Sequence, residues 1–189
     1  MDLERIKREV ATRLSNDRYE HVLRVVSIAK ILGERFGLPL EQVEAAALLH
    51  DVAKCMEKGQ LQAILEEEEV DPRLFSFHPE LWHAPAGTVL ARDEYGIRDE
   101  DILNAIRYHT TGRAQMSPLE KLIYVADMIE MGRNFPGVDD LREAAKGSLD
   151  VAMSACIIHS IRFLANKGVP IFPDSIDCYN EHIHMRGMR

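Results

Sequence analysis

The chain has 189 residues, 46% of them hydrophobic and 29% charged, the balance of one globular domain with a real core. Its formal net charge of −8, with no Lys or Arg cluster to offset it, argues against long nucleic acids, whose affinity comes mainly from phosphate neutralisation. No apolar run approaches the ~20 residues of a bilayer span, and the charged start Met1-Asp2-Leu3-Glu4-Arg5 is unlike a signal peptide. Three cysteines without CxxC spacing (Cys55, Cys156, Cys178) fit a reducing, cytoplasmic setting. A small phosphorylated ligand stays compatible with the charge, because a bound metal reverses the local field.

Helical periodicity runs through the chain. A first helix is expected over 3–14. A second starts near Asp17, where Asp17 and Glu20 form a capping box, carries Val22, Val25, Val26, Ala29 and Leu32 on one stripe, and stops at Gly37. Leu38-Pro39 opens a third helix, expected to run to about Lys54. A short helix covers 60–68, and its Glu66–Glu69 run reads as a solvated face. Residues 71–80 are irregular. Helices resume over 81–94, 99–109 and 118–131, the last announced by Ser117 as cap, Pro118 and Glu120. Two more span 138–146 and 148–167. A Pro-rich loop, 170–175, precedes a short terminal helix. Alternating β-branched runs are absent, so the predicted fold class is all-α, a single-domain helical bundle over 1–189. Its core is expected over about 17–131, with C-terminal helices and a ligand-bordering loop over 138–189.

The chemistry is carried by polar residues at positions where the helical pattern asks for apolar ones. His21 shares a stripe with Val25, Ile28 and Leu32. His50 and Asp51 follow Ala45-Ala46-Ala47-Leu48-Leu49. Asp127 sits among Leu122, Ile123, Val125, Ala126 and Ile129. A buried carboxylate is costly unless it is paired or binds a cation. Three helices repeating this choice point to one shared cation, and the imidazole–carboxylate mixture suits iron, manganese or zinc. Adjacent His and Asp on a helix diverge by ~100°, yet both can reach an ion beside the helix end. His83 and His109 fit the same logic. They would ligate a second metal bridged by Asp51, ~3.5–4 Å from the first, or contact phosphates. His78, His159, His182 and His184 read as structural histidines.

These residues resemble the HD superfamily of metal-dependent phosphohydrolases: a histidine, a later His-Asp pair and a distal aspartate on a helical bundle. The likeness is closest to the bacterial YqeK-like branch, symmetrical diadenosine tetraphosphate hydrolases. It is carried by Arg18-Tyr19-Glu20-His21, Ala46 to Lys54, His83-Ala84-Pro85-Ala86-Gly87, Ala105 to Gly112 and Tyr124-Val125-Ala126-Asp127. The resemblance implies that His21, His50, Asp51 and Asp127 hold iron, with manganese or another divalent metal able to substitute. It places His83 and His109 at a second metal position or against nucleotide phosphates. Arg18, Lys54, Thr110 and Arg133 would meet phosphate, and the loop Pro170, Ile171, Phe172, Pro173, Asp174 and Ser175 would border the nucleoside. It implies cleavage at the centre of the tetraphosphate to two ADP, with Asp51, His83, His109 and Lys54 as catalytic groups. The small-molecule partner would be a dinucleotide polyphosphate, and exposed helix faces leave room for a homodimer. The rival expectations are an HD enzyme for another nucleotide and a non-catalytic nucleotide-sensing module.

Overall fold

Ten α-helices make up the regular structure in a computed structural model that describes residues 1–187; no strand occurs among them. The last two residues of the domain expected over 1–189 lie outside the described residues. In chain order the helices are α1 (Leu3–Arg13), α2 (Asn16–Phe36), α3 (Leu40–Leu49), α4 (Lys58–Glu67) and α5 (His83–Asp93). They continue as α6 (Glu100–Arg107), α7 (Pro118–Ile129), α8 (Val138–Ala144), α9 (Leu149–Asn166) and α10 (Pro173–Gly187).

α7 is the axis of the bundle. It packs against α2, α3, α6, α8 and α9. Leu119, Leu122, Ile123, Tyr124, Val125, Ala126 and Ile129 are all buried, as expected of a helix apolar on every side. Its start carries the full capping box: Ser117 accepts from the Glu120 amide, and the Glu120 carboxylate reaches back to the Ser117 amide. Beside it, the fully buried Ala45, Ala46 and Ala47 leave α3 thin, so α2, α6 and α7 can all approach it. Gly37 ends α2 in the left-handed region at φ 70°.

Several boundaries differ from the sequence expectation, and most of them matter to the site. The cap of α2 is Ser15, whose extended backbone aims its hydroxyl at the Arg18 amide, so Asp17 lies inside the first turn. α3 stops at Leu49 rather than near Lys54. Residues 50–54 form successive tight turns, with Val52 N–H bonded to Leu49 O and Lys54 N–H to Asp51 O. α6 ends at Arg107, which puts His109 in the turn after the helix. Residues 71–81 hold two short 3₁₀ helices, Pro72–Ser76 and Pro79–Leu81. The loop expected over 170–175 is shorter than that, because Pro173 already starts α10, where a missing N–H costs nothing.

Among the described helices, α9 comes nearest to suiting a bilayer, without being an apolar run of ~20 residues. Its 18 residues have a mean hydropathy of 1.2, enough by length and composition to cross one. Ala152, Met153, Cys156 and Ile157 nevertheless face the domain interior, and the helix packs against α7, α8 and α10. His182 of α10 is buried and meets Ser154 of α9 at 2.8 Å, the structural role expected of it.

Candidate metal centre

Four histidines and two aspartates from five parts of the chain converge at one end of this core. His21 comes from the first turns of α2, and His50 and Asp51 from the turn that ends α3. His83 opens α5, His109 follows α6, and Asp127 lies in the last turn of α7. Asp51 is at the middle. Its Oδ2 is 3.6 Å from His21 Nε2 and 3.3 Å from His50 Nε2, and its Oδ1 is 3.1 Å from His83 Nε2 and 3.7 Å from His109 Nε2. Asp127 Oδ1 stands 3.0 Å from His21 Nε2. Two donor clusters result, His21–His50–Asp51 and Asp51–His83–His109, sharing one carboxylate. The early end of α3 is what allows this, since the turn aims both His50 and Asp51 inward.

The other ring nitrogens fix the tautomers. His50, His83 and His109 each direct Nδ1 to a backbone carbonyl three residues earlier, of Ala47, Glu80 and Ile106, at 2.6–2.7 Å. A carbonyl only accepts, so each Nδ1 carries a proton, and in the neutral ring Nε2 is the atom that presents a lone pair to the centre. Buried polar atoms rarely go unpaired. Yet His21 Nε2 and His50 Nε2 are buried without a hydrogen bond, and His83 Nε2 faces His109 Nε2 at 3.1 Å. Converging lone pairs around a carboxylate are the donor set of a divalent metal ion, and these residues fit one.

The charge states of the two aspartates follow from their imidazole and guanidinium neighbours. Burial pushes the Asp51 carboxyl up, but the surrounding His50, His109 and His83 rings outweigh it and hold it well below the usual range. Burial also works against ionised Asp127, where contact with His21 and the Arg133 guanidinium prevail and keep it deprotonated. Burial pushes the His109 ring down to about 4, so it is neutral near pH 7.

Cationic groups line the approach. Arg18 Nη1 donates to Asp51 Oδ2 at 2.9 Å, and Arg133 donates to Asp127 through both its side-chain carboxylate and its backbone carbonyl. Lys54 is held by Glu80 at 2.6 Å, and both line a cleft with His83. Thr110 lines a cleft with Arg107, Tyr108, Pro85, Phe172 and Asp174, and its hydroxyl is buried without a partner. Phe172 is buried there against Phe77, ring centroids 5.1 Å apart. Of the six residues expected along the loop, only Phe172 and Asp174 line this cleft. Pro170 is exposed, Ile171 half-buried, and Pro173 and Ser175 belong to the first turn of α10.

The sequence motifs missed Glu80, Arg107, Tyr108 and, most notably, Glu130. Glu130 is buried, with Oε1 3.2 Å from His21 Nδ1 and Oε2 2.6 Å from Arg24 Nε. Its one sequence signal is its place one turn after Asp127, directly after Ile129, and at a helix end that does not by itself mark burial.

A family model of the HD domain matches residues 18–132, and the chain belongs to that family. Its relatives include a protein of Bacillus subtilis (strain 168) named symmetrical bis(5'-nucleosyl)-tetraphosphatase, 46% identical over 171 residues, covering 90% of this chain and 92% of the relative. One of the same name from Halalkalibacterium halodurans is 41% identical, covering 91% and 92%. A crystal structure from Clostridium acetobutylicum, described as a predicted HD superfamily hydrolase involved in NAD metabolism, superposes with a TM-score of 0.92 at 37% identity and covers 98% of both chains.

Proposed function

We propose that this protein is a metal-dependent phosphoanhydride hydrolase that cleaves diadenosine tetraphosphate symmetrically to two ADP. The observation that carries the chemistry is the convergence of four histidine Nε2 atoms on the two oxygens of Asp51. His21, His50, Asp51 and Asp127 would hold one ion, and Asp51, His83 and His109 a second ion or the substrate's phosphates. Iron is our choice of resident metal, with manganese as substitute, because mixed imidazole and carboxylate ligands suit both. Such an ion, when bound, supplies Lewis acidity toward the phosphoanhydride and activates water at neutral pH.

The chain's own groups then divide the remaining work. Asp51 accepts a hydrogen bond from the attacking water and orients it. Arg18, Lys54 and Arg133 neutralise charge on non-bridging and leaving oxygens. His83 or His109, whose Nε2 atoms meet at 3.1 Å, takes a proton from the attacking water on its lone pair and passes it to the departing ADP. Thr110, Phe172 and Asp174 border a nucleoside in the adjoining cleft. The central-cleavage reading is supported by the names of relatives that match over nine-tenths of the chain. Free Cys55, Cys156 and Cys178 favour a reducing compartment such as the cytoplasm.

The test is a product assay with Fe(II) or Mn(II) and diadenosine tetraphosphate, resolved by chromatography. ADP alone is expected. ATP with AMP, or no reaction, would move the assignment to another nucleotide or to a sensing module. Asp51→Ala should lose at least ~10³-fold in turnover while its helical circular dichroism is unchanged.

A further inference from the structure

Two carboxylates from one helix face the two nitrogens of a single imidazole. Asp127 meets His21 Nε2 at 3.0 Å, and Glu130, one turn later at the end of α7, meets His21 Nδ1 at 3.2 Å. His50, His83 and His109 all give Nδ1–H to neutral backbone carbonyls, so of the four rings His21 alone directs Nδ1 at a full negative charge. Glu130 is 2% exposed, and its other oxygen is taken up by Arg24 Nε and the Gly132 amide. Anchoring the turn after α7 would need only that second oxygen. The first is hydrogen-bonded to His21, with Arg133 Nε more distant at 4.0 Å. A carboxylate behind an imidazole fixes its tautomer and strengthens the opposite nitrogen as a donor.

We propose that Glu130 is a positioning residue of the metal centre. It holds His21 with the proton on Nδ1, aims Nε2 at the ion shared with His50, Asp51 and Asp127, and makes His21 the strongest imidazole donor of the four. This rests on the metal-site reading above. Arg24 meets only the other oxygen of Glu130: one turn after His21 on α2, it ties α2 to the end of α7.

Glu130→Gln separates this role from a structural one. With its carbonyl oxygen kept by Arg24 and Gly132, the glutamine turns its NH₂ toward His21 and favours the wrong tautomer, at nearly unchanged volume. Chelator-stripped wild type, Glu130→Gln, Arg24→Gln and His50→Ala would be titrated with Co(II) and followed by its visible absorption, with apo melting curves alongside. Glu130→Gln should bind Co(II) about 10–100-fold more weakly than wild type and shift its absorption bands, while its apo melting stays near wild type. Arg24→Gln should keep affinity within about threefold, since its effect falls on the fold. Wild-type affinity in Glu130→Gln, or an equal loss in Arg24→Gln, would overturn the proposal and leave the metal centre standing. If wild type binds no more Co(II) than His50→Ala, the metal-site reading itself fails.

Discussion

At the scale of single residues, the centre is organised by which nitrogen of each histidine carries its proton. Three i−3 backbone carbonyls and one glutamate face the four Nδ1 atoms, so a neutral ring protonated there turns its Nε2 lone pair inward. His109 is the ring that pays most for a charge. Burial pushes it down to about 4 from its ordinary 6.5. The unfolded chain therefore takes up this proton first as the pH falls. The His109 contribution is complete above pH ~6.5 and is lost between there and about pH 4, on the order of 3 kcal/mol in all. His50 is shifted upward, against its burial, by Asp51, and works in the opposite sense, stabilising below its unfolded value and losing that as the pH rises. Melting temperatures of the metal-stripped protein should thus drop less for His109→Gln than for wild type across pH 6.5 to 4. Superimposable profiles would rule this out. His21, His50, Asp51 and Asp127 were legible in the sequence because each interrupts an apolar pattern. Glu130 was not, because a glutamate near a helix end ordinarily meets water, and its burial arises from Arg24 and His21 on another helix. Lys54 was expected against phosphate, and its partner Glu80, 26 residues away, was not legible in the sequence.

At the scale of elements, the helix ends decide the site more than the helices do. His50, Asp51 and His109 all lie just beyond the last helical turn. Periodicity carried α3 and α6 a few residues too far, since apolar spacing alone does not register where the i−4 bonding stops. The turn after α6 closes on Gly112, which adopts φ +66°, and a Cβ there would lie 2.9 Å from Cys178 Sγ on α10. Both the backbone strain and the contact penalise any side chain. Gly112→Ala is therefore expected to destabilise the protein by about 2–4 kcal/mol, lowering the melting temperature by roughly 5–10 °C. A melting temperature within about 2 °C of wild type would mean that α10 moves aside freely. The same closeness explains how α10 bears on the cleft: its first turn brings Asp174 next to Phe172, Thr110 and Thr111.

At the scale of the whole molecule, an ion at this centre would bind α2, the turn after α3, and α7 together, and a second would add α5 and the turn after α6. Ligand binding to the folded state alone raises stability by mass action, about 2.7 kcal/mol at a hundredfold excess over Kd. Chelation should lower the wild-type melting temperature, and Fe(II) or Mn(II) should restore it. Asp51→Ala should respond to neither. An equal shift in Asp51→Ala would place the stabilising metal elsewhere.

The sequence by itself determined the all-α class, the order of the helices, the buried seam of α7 and the His–His-Asp–Asp pattern. Each of these is a local or periodic property, visible wherever an apolar face is interrupted or a cap is spelled out. Only the tertiary structure decided that Asp51 stands between two histidine pairs, that Glu130 backs His21, and that half-buried Arg18 and Arg133 rest on the very carboxylates proposed to hold the ion. Apart from the neighbouring His50-Asp51 and the Arg133–Asp127 pair, those facts depend on distances between residues 30 to 109 positions apart, set by how the helices pack, and no spacing within one helix encodes them.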